Sequence, residues 1–119
     1  MSMKLRNLEL AGTAMEIVEN VATGKNKSEI IELLRKLPSH IQTSGLGQTL
    51  AWLLKKNPDI AKQVCRGVEG SRQEVDANKF LGRLIRGSAS EYRRKSRQAL
   101  AFAEWLKRFA DAEKKKIDG

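Results

Sequence analysis

Residues 37–57, LPSHIQTSGLGQTLAWLLKKN, decide the fold. The stretch holds a proline, a polar segment, two glycines, an apolar run and a basic end. From Leu46 onward, Leu46, Leu50, Leu53 and Leu54 recur at i, i+4, i+7 and i+8, the spacing of one buried helical face. Lys55 and Lys56 close that helix. Upstream, Pro38 lacks an N–H and crowds the preceding turn, so a break or kink is expected there. Ile41 extends the earlier stripe by one turn, and TSGLG then reads as a loop. The stretch is therefore a corner between two helical halves. Gly45 and Gly47 precede a helix start, where an anion can bind, but close packing is the commoner role of such glycines and is favoured here.

Working outward toward the N-terminus, residues 3–22 form a helix with two adjacent apolar stripes. One is Leu8, Ala11, Met15, Val18 and Ala22, and the other Met3, Leu10, Ala14, Ile17 and Val21. The resulting arc is wider than a simple surface helix needs. It predicts two neighbours, or one neighbour and another protein. Gly24 can end this helix. Asn26 with Glu29 reads as an N-cap and its reciprocal partner, opening a helix that turns Ile30, Ile31, Leu34 and Leu37 inward.

Toward the C-terminus, Asn57-Pro58 starts a further helix, because asparagine caps and proline fits the first helical position. Ile60, Ala61, Val64 and Val68 supply its apolar stripe, and Gly67 and Gly70 loosen its end. In residues 71–87, Val75, Phe80, Leu81, Leu84 and Ile85 predict a short helix. Ser88 with Glu91 is a second capping box. It opens the longest helix, over residues 89–115, with a frayed tail. Tyr92, Ala99, Ala103, Leu106 and Ala110 share one face, with Phe102, Trp105 and Phe109 beside it. Arg93, Arg97, Glu104, Arg108 and Asp111 hold the opposite arc. The fold class is all-α: a compact single-domain bundle of about six helices over residues 1–119, ending in a long C-terminal helix.

The 119-residue chain carries 23 Lys and Arg against 14 Asp and Glu, a formal charge of +9. Residues 1–60 hold eight basic and six acidic side chains, and residues 61–119 hold fifteen and eight. A basic excess gathered in one half is the footprint of a polyanion partner. A solvated surface accounts for the charge equally well. Arg93, Arg94 and Arg97 with Arg108 form the main basic group. Lys55 with Lys56 and Arg83 with Arg86 form two smaller ones. Such residues can follow a phosphate backbone without reading bases. Trp52 lies off the leucine face, and contact with another helix is its first reading. A partner contact is the second and base stacking the third.

Several chemistries are excluded. Cys65 is the sole cysteine and His40 the sole histidine, so a disulfide, a thiolate cluster or a paired-histidine site has no residues to build it. Cys65 follows Val64 in a helical stripe and reads as a small buried residue. His40 reads as an ordinary loop or helix-end residue. Ala22-Thr23-Gly24-Lys25 ends like a phosphate loop, but Asn26 stands where Ser or Thr should be and the loop follows a helix. No enzyme, cofactor, metal site or small-molecule substrate is expected. The N-terminal residues MSMKLRNLEL lack the pattern of a secretion signal, and no apolar run reaches about 20 residues. A cytoplasmic protein with no membrane partner is expected.

Two blocks resemble the small α-helical subunit of the type III-B CRISPR effector, the Cmr small-subunit family. The first is Lys36-Leu37-Pro38, then Ser44-Gly45-Leu46-Gly47-Gln48-Thr49-Leu50-Ala51-Trp52-Leu53. It matches the family's K-L-P, short polar loop and N/S-G-L-x-Q-T-L-A with a following aromatic. The second is Tyr92-Arg93, Ala99-Leu100 and Glu104-Trp105-Leu106-Lys107-Arg108-Phe109-Ala110. It is similar to the family's Y-R…A-L…W-L-K-R-F-A helix. Together they cover about a third of the chain, and Ser44 replaces the commoner asparagine. The resemblance implies a non-catalytic RAMP-module subunit acting in antiviral defence. Copies would stack beside the other Cmr subunits, near guide RNA and target RNA. Base pairing would supply specificity, leaving this chain sequence-independent contacts. On that reading Arg93, Arg94, Arg97, Arg108, Lys55 and Lys56 are the candidate RNA contacts and Trp52 the candidate partner contact. The contrasting reading is a stand-alone basic helical DNA-binding module, for which no recognition helix is evident.

Overall fold

A computed structural model describes the backbone of residues 3–70 and 75–118, and the side chains of these from Asn7 on. The described residues form six α-helices and no strand: α1 (Met3–Ala22), α2 (Lys27–Ser44), α3 (Leu46–Lys56), α4 (Pro58–Glu69), α5 (Ala77–Arg86) and α6 (Ala89–Asp118). The expected all-α class holds. The chain divides into two compact units, residues 1–38 with 101–119 and residues 39–100.

In the first unit, α1 buries Leu10, Ala14, Ile17 and Val18, α2 buries Ile31, Leu33, Leu34 and Leu37, and α6 buries Phe102, Ala103, Leu106 and Ala110. Polar contacts fix the register. Trp105 Nε1 donates to Asn7 Oδ1 at 2.9 Å, and Arg35 Nε donates to Asp111 Oδ1 at 2.6 Å. Asp111, placed above on the polar arc of the long helix, therefore holds α2. Its burial pushes the carboxyl up, but Arg35 and Lys107 more than offset this and hold it below the usual range. Met3, assigned above to an α1 stripe, has its side chain outside the described residues.

Two expectations change here for identifiable reasons. The helix does not break at Pro38, which lies inside α2. An interior proline costs about 3 kcal/mol, but Leu34 and Leu37 before it and Ile41 after it are all buried. Burying such side chains returns roughly 1.5–3 kcal/mol each, which outweighs that cost. The expected loop accordingly shrinks to Gly45 between α2 and α3. The tail also stays helical through Asp118. Lys114 reaches both Asp118 at 3.4 Å and Glu32 at 3.7 Å, and Lys116 reaches Glu113 at 3.2 Å.

In the second unit α3, α4 and α5 pack on one another. Leu46, Leu50 and Leu53 are fully buried, with Ile60, Val64, Val68, Phe80 and Leu84 from the adjoining helices. Leu54 is only half-buried. The Asn57-Pro58 start is as expected: Asn57 Oδ1 accepts from Ile60 N at 3.2 Å, with Pro58 in the first turn. Gly67 is buried inside α4 instead of loosening it, and Gly70, at φ 68°, caps the helix in the left-handed region. The α5 helix begins on Asp76, whose carboxylate accepts from Asn78 N and Lys79 N at 2.9 and 3.2 Å. This cap adds to the Asn57 and Ser88 helix starts expected above. Ile85, named above among the residues that predict this helix, is 67% exposed. Part of the segment assigned to residues 71–87, residues 71–74, lies outside the described residues.

Candidate nucleic-acid interface

The corner in the second unit is closed by Tyr92. Gly45 has φ 86°, a left-handed conformation that strains any residue with a Cβ. Gly47 N donates to Tyr92 Oη at 2.9 Å. A Cβ on Gly47 would sit 3.2 Å from that oxygen, and one on Gly45 would sit 3.4 Å from it. The glycines therefore serve close packing, and the hydroxyl takes up an N–H at the start of α3. Thr49 Oγ1 donates to the Gly45 carbonyl at 2.8 Å, so it accepts from His40 Nδ1 at 2.8 Å. His40 stacks on Trp52 with ring centroids 4.4 Å apart and 16° between planes. Trp52 thus contacts another helix, its first reading, and His40 sits in a helical turn with defined partners. Neither partnership was visible in the sequence, although histidine, threonine and tryptophan all lie within thirteen residues.

The Ser88 cap forms as expected, with Glu91 N donating to Ser88 Oγ at 3.1 Å. The Glu91 side chain turns away to Arg94, at 2.9 and 3.2 Å. Arg94 holds the Glu91 carboxyl below the usual carboxylate range. Arg94 is therefore half committed within the chain. Arg93 and Arg97 are exposed and have no partner among the described residues. They sit at i and i+4, on one face of α6.

Lys55 and Lys56 are exposed in the last turn of α3, also without a partner among the described residues. Tyr92 meets the opposite end of α3, at Gly47. Eight residues of helix, about 12 Å, separate that contact from Lys55. The structure therefore does not bring these lysines to the Tyr92 contact, next to which Arg93 follows in the chain. In the first unit, Arg108 lies over the Trp105 ring at 5.0 Å, and Trp105 stacks on Phe109 at 5.8 Å. A guanidinium over indole keeps its charge while its stem is held.

A cavity of about 390 Å³ in the second unit is lined by Glu69, Phe80, Arg83, Leu84, Glu91 and Lys95 among others. Its charges are already matched. Lys95 Nζ meets Glu69 at 3.0 Å and lies over the Phe80 ring at 5.5 Å, and Arg83 approaches Glu69 at 3.9 Å. Cys65 is fully buried nearby. Burial, with a smaller contribution from Glu69, pushes its thiol up from 9.0 to about 12, so it is not an activated nucleophile. Among the described residues, no helix is long and apolar enough to cross a membrane.

These features define a class: an all-helical protein whose unpartnered surface cations lie on helix faces. Comparison with known proteins gives the family. The family model described as CRISPR-associated protein, Cas_Cmr5, matches residues 6–113, and the chain belongs to that family. A relative described as CRISPR system Cmr subunit Cmr5, from Thermus thermophilus, is 29% identical over 110 residues, covering 92% of this chain and 96% of that protein. The X-ray crystal structure of a CRISPR-associated Cmr5 family protein, also from Thermus thermophilus, matches with a TM-score of 0.77 at 28% identity, covering 94% of this chain and 97% of that one. The resemblance carried by the two sequence blocks is thereby borne out, and family membership supports a subunit role in a CRISPR Cmr complex.

Proposed function

We propose that this chain is a non-catalytic structural subunit of a type III-B Cmr effector, an RNA-guided complex of antiviral defence. The carrying observation is the family match over residues 6–113. In this reading the chain works in the cytoplasm, beside other Cmr subunits and copies of itself. It contributes sequence-independent contacts to target RNA held by the guide. Arg93 and Arg97, exposed and unpartnered among the described residues, support α6 as the RNA-facing element. Arg94 is weaker in this role because Glu91 already neutralises it. Lys55 and Lys56 are the second group, and Arg108 the third.

Arg93→Glu with Arg97→Glu tests the assignment in the assembled complex. Both side chains are exposed, so the unfolding free energy should move by no more than about 0.5 kcal/mol. Target-RNA affinity should fall about tenfold or more, and the slope of log affinity against log salt should flatten by about 2. Unchanged affinity and slope would remove α6 from the RNA groove while leaving the subunit role standing.

A further inference from the structure

The His40–Trp52 stack carries two polar ring atoms that the fold does not use. The tautomer of His40 is fixed by its neighbours. Thr49 Oγ1 has one proton, and it lies 2.8 Å from the Gly45 carbonyl and 2.8 Å from His40 Nδ1. The carbonyl can only accept, so the threonine proton goes there. Giving it to His40 instead would leave two bare oxygens facing each other at 2.8 Å. His40 Nδ1 therefore carries the hydrogen, and Nε2 of the neutral ring carries a lone pair. Thr49 itself is buried.

Nε2 has no partner among the described residues, and neither has Trp52 Nε1–H. Both atoms are open to solvent, because the buried side-chain atoms left unpartnered among the described residues are Ser96 Oγ and Gln98 Oε1. The stack, 4.4 Å between centroids and 16° between planes, sets this acceptor and this donor on adjacent rings. Lys55 and Lys56 stand three and four residues after Trp52, on its side of α3. They too are exposed and unpartnered among the described residues. The patch thus offers one neutral acceptor, one neutral donor and two cations.

We infer that His40 Nε2 accepts a hydrogen bond from a ribose 2′-hydroxyl of RNA whose phosphates meet Lys55 and Lys56. A bare anion would satisfy the lysines and leave Nε2 empty, since ionised phosphate and carboxylate groups only accept. DNA fails in the same way, because its sugar lacks the hydroxyl. An RNA unit brings an O–H beside an anion. The base edges of a guided target are taken by pairing, so the 2′-hydroxyl is the free donor, and it is the group by which a protein tells RNA from DNA. Thr49 is a positioning residue here: it holds the tautomer that leaves Nε2 able to accept. This deepens the proposed RNA contact and rests on it, adding discrimination of the sugar without any reading of sequence.

The test compares, in the assembled complex, affinity for a guide-matched target strand made as RNA and as DNA. His40→Phe keeps a ring on Trp52 and removes Nε2. It should lower RNA affinity about fivefold and leave DNA affinity unchanged. Thr49→Val keeps the imidazole but frees its tautomer, and should shrink the RNA-to-DNA ratio in the same direction by about twofold. A role confined to holding the corner would move both strands equally, so an unchanged ratio in the two variants overturns the inference while sparing the subunit role. A folded His40→Phe chain that stays out of the complex would make this surface a protein contact and overturn it as well. Failure of the wild-type chain to enter a guide-RNA complex would instead overturn the subunit role, and the isolated chain then decides the sugar contact by itself. There, with Trp105→Phe leaving Trp52 as the sole tryptophan, oligouridylate at low salt should change Trp52 emission at about fivefold lower concentration than oligodeoxyuridylate. His40→Phe should abolish that difference. Equal midpoints for the two strands, or no change in emission with either, would overturn the inference.

Discussion

Leu46 and Leu53 of α3 stand seven residues apart and are both fully buried, whereas Leu8 and Met15 of α1, at the same spacing, stand 65% and 45% exposed. The two helices carry the same kind of apolar line. The α3 line is covered by α4 and α5, which pack against it. The described residues do not cover the α1 line. Helical periodicity thus says which residues share a face, and says nothing about which molecule covers that face. The wide apolar arc of α1 left two readings open, two neighbours or one neighbour and another protein, and the exposed line favours the second.

The largest test of the comparison removes a residue from each line. Leu53→Ala should cost about 3 kcal/mol in urea unfolding, as a fully buried leucine does. Leu8→Ala should cost about 0.5 kcal/mol or less. Equal costs would mean that the α1 line is covered after all.

A smaller effect separates the buried interior of α4 from its charged surface. The Cys65 thiol ionises at 9.0 by its ordinary value and at about 12 in the folded chain. Between those values the unfolded chain has lost a proton that the folded chain keeps, so stability falls as pH rises through this window. Near pH 10.5 this contributes about 1–2 kcal/mol of destabilisation relative to pH 8. The loss should be absent in Cys65→Ala, so the two proteins' unfolding free energies should converge on moving from pH 8 to pH 10.5. Parallel slopes would show that the thiol is not buried.

The smallest effect sharpens the corner. Tyr92→Phe leaves Gly47 N–H without the hydroxyl it donates to and should cost about 1 kcal/mol. No change in stability would mean that another group already satisfies that N–H.

Much of this was legible in the sequence, for local reasons. The α3 leucines, the Asn57-Pro58 start and the Ser88 cap depend on residues within one or two turns of one another. What was not legible depends on distant partners. Tyr92 closes the turn at Gly47 from 45 residues away, and Asp111 meets Arg35 from 76 residues away. Of the two alternatives at Pro38 the break is not seen, because the local cost of proline is visible in the sequence and the tertiary burial that outweighs it is not. Ile85 belongs to the apolar residues that predict α5, and only packing shows that it faces out. Of the candidate site, the basic residues were legible as a set. That Arg94 is paired and Arg93 and Arg97 are not depended on where Glu91 turns, since its carboxylate can serve the cap or the arginine.

The central claim is that this chain works inside a Cmr ribonucleoprotein and not alone. Affinity purification of the tagged chain from its host, with identification of the bound protein and RNA, tests it most directly. The account predicts that other Cmr subunits and guide RNA co-elute, and that the chain is present in more than one copy per complex. Recovery of the chain free of CRISPR subunits and of guide RNA would contradict it.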